Sequence, residues 1–144
     1  AWEHYSADVT RTIPVSGTFS AREKELYELV LKASNAAIRQ VRPGADYYND
    51  VHMTAKKILD DAGYGQYFIH GTGHFLGLDV HDVGNYDLPL KAGVVITVEP
   101  GIYIPEEGIG IRIEDDILVT RGGPVLLSKD IPRTVEDIEH TMAE

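Results

Sequence analysis

Val94-Val95-Ile96-Thr97-Val98 is the most β-favouring stretch of the chain, and it runs straight into Glu99-Pro100-Gly101. Five successive β-branched residues suit a pleated strand and resist a helix. So apolar a strand belongs in an interior. Alternate side chains share a face, so Glu99 lies with Val95 and Thr97. A carboxylate at the end of a buried strand is costly unless it is paired, hydrogen-bonded or bound to a cation. The fold must therefore bury this strand and still provide for its terminal acid.

The rest of the chain offers the means of burial. Ser20-Ala21-Arg22-Glu23 has the form of a capping box, and Leu26, Leu29, Val30, Ala33, Ala37 and Ile38 follow at helical spacing until Pro43-Gly44. A second helix is predicted from Asp46 to Ala62, with Tyr47, Val51, Ala55, Ile58 and Leu59 on its apolar stripe. Residues 5–13 read as a strand, followed by a turn at Pro14–Gly17. Further strands are predicted at Val94–Glu99, Gly110–Glu114, Asp116–Thr120 and Val125–Leu127, with a terminal helix opened by Thr134. Gly101 and Gly110 read as turn residues. A strand, two helices and then several strands favour an α+β fold, an antiparallel sheet flanked by helices, over a doubly wound one.

Composition excludes several functions. The 144 residues give room for one domain. Thirteen Lys and Arg against 23 Asp and Glu leave a net charge of −10, which argues against a nucleic-acid binder and leaves a cation as a natural partner. There is no cysteine, hence no thiolate nucleophile or disulfide framework, and no apolar run near the length of a membrane span. A cysteine-free acidic chain fits a cytoplasmic setting. The opening Ala1-Trp2-Glu3-His4-Tyr5 reads as the middle of something, so a fragment or processed product is expected.

Glu99 is not alone. Ile111-Arg112-Ile113-Glu114 also ends an apolar strand in an acid, with Arg112 and Glu114 on one face. Asp8 shares a face with Thr10 and Thr12. Residues 63–93 hold seven of the 14 glycines and three of the six histidines, His70, His74 and His81. Singly, each acid is more often solvated or paired, here with Arg112 or Arg11, and a lone histidine is more often packed. Several carboxylates with an imidazole at one point would instead suit a divalent ion, Mn, Co, Fe or Zn.

Four blocks then carry a family resemblance. Asp8-Val9-Thr10-Arg11-Thr12, His70-Gly71-Thr72-Gly73-His74 with Phe75-Leu76-Gly77-Leu78-Asp79-Val80-His81-Asp82, Glu99-Pro100-Gly101-Ile102-Tyr103, and Gly110-Ile111-Arg112-Ile113-Glu114-Asp115 together resemble the dinuclear metallopeptidases of the aminopeptidase P and prolidase type. The resemblance implies the C-terminal portion of a pita-bread fold. It implies an enzyme that removes an N-terminal residue preceding proline, using water activated by a divalent ion, manganese first. Asp8, His74, Glu99 and Glu114 match metal ligands, and Glu99 also handles the proton of the nucleophile. His70 and His81 match histidines that hold substrate and stabilise the tetrahedral intermediate. Arg112 resembles an arginine that orients the acids, and Tyr103 a nearby aromatic. The family has a further aspartate eleven residues before the match to Asp8, three before Ala1, so one of two ions keeps its whole ligand set here. The implied partner is a peptide with proline at its second position. With the first half of the catalytic domain outside residues 1–144, weak turnover is expected, together with association with that half or with a second copy. A protein-binding module on this fold, or a metal-independent creatinase-like hydrolase, is the alternative; four ligand-type residues argue for the peptidase.

Overall fold

The computed structural model describes residues 3–143. Helix α1 spans Ala21–Ile38, and its start is the expected reciprocal box between Ser20 and Glu23. Leu26, Tyr27, Val30, Ala33 and Ala37 are fully buried along one stripe. Burying a side chain such as Leu26 or Val30 contributes roughly 1.5–3 kcal/mol, well above the roughly 0.7 kcal/mol span of ordinary helix propensities, so packing holds this helix. It ends at Ile38, five residues short of Pro43.

The second helix departs from expectation. Asp46 caps its start, but Tyr47–His52 forms a π-helical turn, and only Met53–Asp61 is α-helical (α2). The amide of Met53 donates to the carbonyl of Tyr48, five residues back. The terminal helix α3, Val135–Met142, begins at a capping box between Thr134 and Asp137.

A four-stranded antiparallel sheet has the order β1 (Phe75–Leu76), β2 (Val95–Val98), β5 (Asp115–Leu118), β6 (Val125–Leu126). A separate hairpin pairs β3 (Gly101–Ile104) with β4 (Ile109–Arg112). Strand β3 corrects the reading of Gly101 as a turn residue. The run from Gly110 to Thr120 also does not continue in one sheet, because β4 and β5 belong to different ones.

The two sheets are one long hairpin with a break. Val98 faces Asp115 in the first and Gly101 faces Arg112 in the second. Counting inward, Glu99 stands opposite Glu114, and Pro100 opposite Ile113. Pro100 has no N–H to give the ladder, which accounts for a break at this point. The two glutamates thus stand opposite each other with their amides bonded outward, Glu99 to the Thr72 carbonyl at 2.6 Å and Glu114 to the Thr10 carbonyl at 3.1 Å.

Residues 5–13 were expected to form a strand. They are extended, but the antiparallel bridge of Thr10 with Glu114 is isolated and not part of a ladder. Side chains replace the missing ladder. Both oxygens of Asp116 lie 3.3 Å from the Asp8 amide, and the Thr12 hydroxyl accepts from the Arg112 amide at 3.0 Å and donates to its carbonyl at 3.2 Å. Among the described residues no helix is long and apolar enough to cross a membrane.

Candidate metal centre

Four neighbouring extended segments each bring one residue to the break in the hairpin. Their order is residues 8–12, the β4–β5 link, the end of β2, and the run into β1. They carry Asp8, Glu114, Glu99 and His74 respectively. His74 continues β1 alongside β2: the Thr97 amide donates to the His74 carbonyl at 2.8 Å, and the Glu99 amide to the Thr72 carbonyl at 2.6 Å. Gly73 is required at its position, since a Cβ there would lie 2.0 Å from the Thr97 carbonyl oxygen.

Nε2 of His74 is the hub. It lies 3.4 Å from Asp8 Oδ2, 3.5 Å from Glu99 Oε1 and 4.0 Å from Glu114 Oε1. One ligand atom each from His74, Glu99 and Glu114 falls within 4.8 Å of the other two, and the same holds for Asp8, His74 and His81. His74 therefore belongs to two groups, and His81 to the outer one. The imidazole is 6% exposed and Glu114 3%. His74 Nδ1 faces the Phe75 carbonyl at 3.0 Å, which fixes the proton there and leaves the Nε2 lone pair free for a cation.

The supporting contacts explain the orientations. Thr97 donates its hydroxyl proton to Glu99 Oε1 at 3.3 Å and accepts from the His74 amide at 2.9 Å. Thr10 donates to Glu114 Oε2, and Arg112 Nε donates to Thr10 Oγ1 at 3.1 Å. Arg112 thus acts on Glu114 through a hydroxyl. Arg112 Nη1 also lies 3.5 Å from the Tyr103 hydroxyl, which sits 2.9 Å from Nε2 of His70. His70 Nδ1 faces the Gly71 carbonyl at 2.7 Å, so Nε2 accepts from Tyr103. The exposed His81 ring stacks on His74 at 3.8 Å between centroids. Arg11, weighed as a partner for Glu114, instead pairs with Asp115 at 2.6 Å. Thr10, Thr97 and Asp116 were missed as supports, although Thr10 shares a predicted face with Asp8, and Thr97 one with Glu99.

The electrostatics fit a cation. Burial, with Glu99 and Asp8 close by, pushes the Glu114 carboxyl from 4.5 up to about 7, against the Thr10 hydrogen bond and Arg112. Burial, with Asp8 and Asp115 adding to it, likewise pushes Asp116 from 3.8 up to about 6, against its bond from the Asp8 amide. The three acids crowded about one imidazole repel one another, and a dication would relieve that repulsion. The consequence for stability has a definite sign. A raised folded-state pKa favours the protonated fold, so the benefit is complete below about 4 and is lost as pH rises through about 7. The ion-free chain is expected to lose thermal stability through these two groups as pH rises from about 4 to about 7. Melting curves over that interval check it, and a rise across it would contradict it.

Known proteins share this arrangement's setting. Residues 1–121 match the model of metallopeptidase family M24. An Xaa-Pro aminopeptidase of Haemophilus influenzae is 42% identical over 167 positions, covering 96% of this chain and 39% of that protein. The aminopeptidase PepP structure from Pseudomonas aeruginosa superposes with a TM-score of 0.90 at 39% identity, covering 97% of this chain and 39% of that one. The prolidase of Pyrococcus furiosus superposes with a TM-score of 0.80 at 41% identity, over 88% of this chain and 38% of that one. The chain thus spans about two-fifths of the relatives it matches, and the α+β arrangement described above is that part of the pita-bread fold. Matched over most of its length by the family model and by relatives of this identity, the chain belongs to metallopeptidase family M24.

Proposed function

We propose that these residues form part of the catalytic unit of an exopeptidase that cleaves between an N-terminal residue and proline. One observation carries the reading: oxygens of Asp8, Glu99 and Glu114 surround Nε2 of His74 at 3.4, 3.5 and 4.0 Å. In this reading those four residues hold a divalent ion. Three oxygen donors to one imidazole suit manganese first, with cobalt, zinc and iron behind it. Bound there, the ion would lower the pKa of a water by several units, towards about 7, and so supply a nucleophile near neutrality.

The protein groups do the rest. Glu99 accepts the proton of the attacking water and returns it to the leaving proline nitrogen. The Thr97 hydroxyl, already on Glu99 Oε1, keeps that carboxylate in place. His81 projects from an exposed loop over His74 and donates to the developing oxyanion, a contact worth roughly 3–4 kcal/mol when one such donor is removed. His70 and Tyr103 flank the substrate, and Arg112 steadies Glu114 through Thr10.

The names of the relatives support a substrate with proline at its second position, and the Phe75–His81 wording leans to the aminopeptidase rather than the dipeptidase branch. Their length supports reading residues 1–144 as the C-terminal part of a larger catalytic domain. Exposed Val15, Ile69 and Val83 are surfaces for association with the remainder or with a second copy. The acidic, cysteine-free composition supports a cytoplasmic setting. The decisive experiment is calorimetric titration of the chain with Mn²⁺. Saturable uptake of one equivalent is expected, and no saturable uptake of Mn²⁺, Co²⁺ or Zn²⁺ would overturn the reading.

A further inference from the structure

The π-helical turn Tyr47–His52 has a consequence for the loop that carries His74. In an α-helix, at about 100° per residue, side chains five apart point roughly 140° away from each other. A π-turn bonds each residue to its fifth neighbour and brings such side chains onto nearly one face. Tyr47 and His52 are five apart, and they reach two adjacent residues, Gly73 and Thr72. The Tyr47 hydroxyl donates to the Gly73 carbonyl, and His52 Nδ1 lies 2.9 Å from Thr72 Oγ1. Thr72 is fully buried, and its carbonyl accepts from the Glu99 amide at 2.6 Å. Gly73 lies directly against the Thr97 backbone, and His74 follows it. The turn therefore grips residues 72–73 from outside while β2 holds them from inside. Tyr47 is locked by an edge-on contact with Tyr86 at 5.0 Å, and His52 packs between Tyr48 at 5.1 Å and Phe68 at 5.5 Å.

We infer that Tyr47 and His52 are positioning residues for the metal centre, acting through Gly73 and Thr72 to set His74 Nε2 and Glu99 Oε1 at a common point. The inference rests on the metal reading above. Contacts of this kind around a ligand typically change metal affinity by about 10–100-fold.

The test measures the Mn²⁺ dissociation constant of the 144-residue chain and three variants, beside the melting temperature of each in the ion-free state. H52L removes the ring nitrogen, Y47F removes only the hydroxyl, and H52N keeps a polar atom where Nδ1 stood. H52L and Y47F are each expected to bind Mn²⁺ at least about 10-fold more weakly, with H52N returning to within about 2-fold of the unaltered chain. The ion-free melting temperature of Y47F and H52N should be near that of the unaltered chain. Unchanged affinity in both H52L and Y47F overturns the inference alone. So does a loss that H52N fails to restore, or one matched by a general fall in ion-free melting temperature. If the unaltered chain takes up no Mn²⁺, the metal reading falls, and this inference with it.

Discussion

Replacing Asp115 by alanine should cost about 3–5 kcal/mol, a large part of the roughly 5–15 kcal/mol that holds a domain of this kind folded. Asp115 is wholly buried and takes Arg11 Nη2 at 2.6 Å, Arg133 Nε at 2.5 Å and the Ser128 hydroxyl at 2.7 Å. Burial alone would push its carboxyl up, but the Ser128 bond and the two guanidinium groups outweigh that and hold it below its usual range. The two arginines extend the network. Arg133 reaches Asn35 and Ser34 on α1, and Arg11 reaches the Pro132 and Glu114 carbonyls. One carboxylate thus ties residues 8–12, α1 and residues 128–134 together. Its removal leaves two charges, on side chains 10% and 16% exposed, without their counter-ion. Urea unfolding of D115A measures the loss. A change below about 1 kcal/mol, the range of an exposed pair such as Lys57–Asp61, would show that the network carries no such load.

Glu114→Gln should move binding and stability in opposite directions. The acid is 3% exposed and opposes both Glu99 and Asp8, so in the ion-free chain its charge is a liability above about pH 7. The amide removes that charge and keeps an acceptor for the Thr10 hydroxyl. The ion-free melting temperature at pH 8 is therefore expected to rise. Uptake of Mn²⁺ should fall by more than about 100-fold, beyond the range for a residue that merely supports a ligand. Loss of binding with a gain in stability cannot come from misfolding, and it follows the usual tension between a charged site and a stable fold. Binding within about 10-fold of the unaltered chain would remove Glu114 from the ligand set.

The parts visible in the sequence were those governed by neighbours in sequence. Ser20 with Glu23 is a local motif, and it caps α1 as read. The β-branched run from Val94 needs no distant partner to favour a strand, and β2 lies within it. Glu99 and Glu114 stood out because apolar strands ended in charge, and the histidines because glycines flanked them; the family resemblance singled out His74 among these and added Asp8 to the ligand set. What stayed hidden depends on contacts between remote segments. Residues 5–13 have strand-like composition, but Asp116, Glu114 and Arg112, about a hundred positions away, decide that side chains rather than a ladder hold them. The π-turn was concealed because Tyr47, Val51 and Ala55 recur every four residues, a spacing an α-helix accommodates equally well. Gly101 read as a turn because its tight approach to the Ile111 carbonyl depends on β4 being opposite.

The pairing of residues 8, 10 and 12 with 116, 114 and 112 also limits how the chain can change in length. Only every second residue of this segment faces the glutamates, so losing or gaining a single residue between Asp8 and Thr12 would turn the aspartate outward and put Val9 or Ala7 in its place. A two-residue change would keep the facing but shift the acid by one full pleat, roughly 7 Å, out of reach of His74. The loop just beyond, at residues 14–19, carries no such phase. Insertions can accumulate there while the five positions before it keep a fixed count.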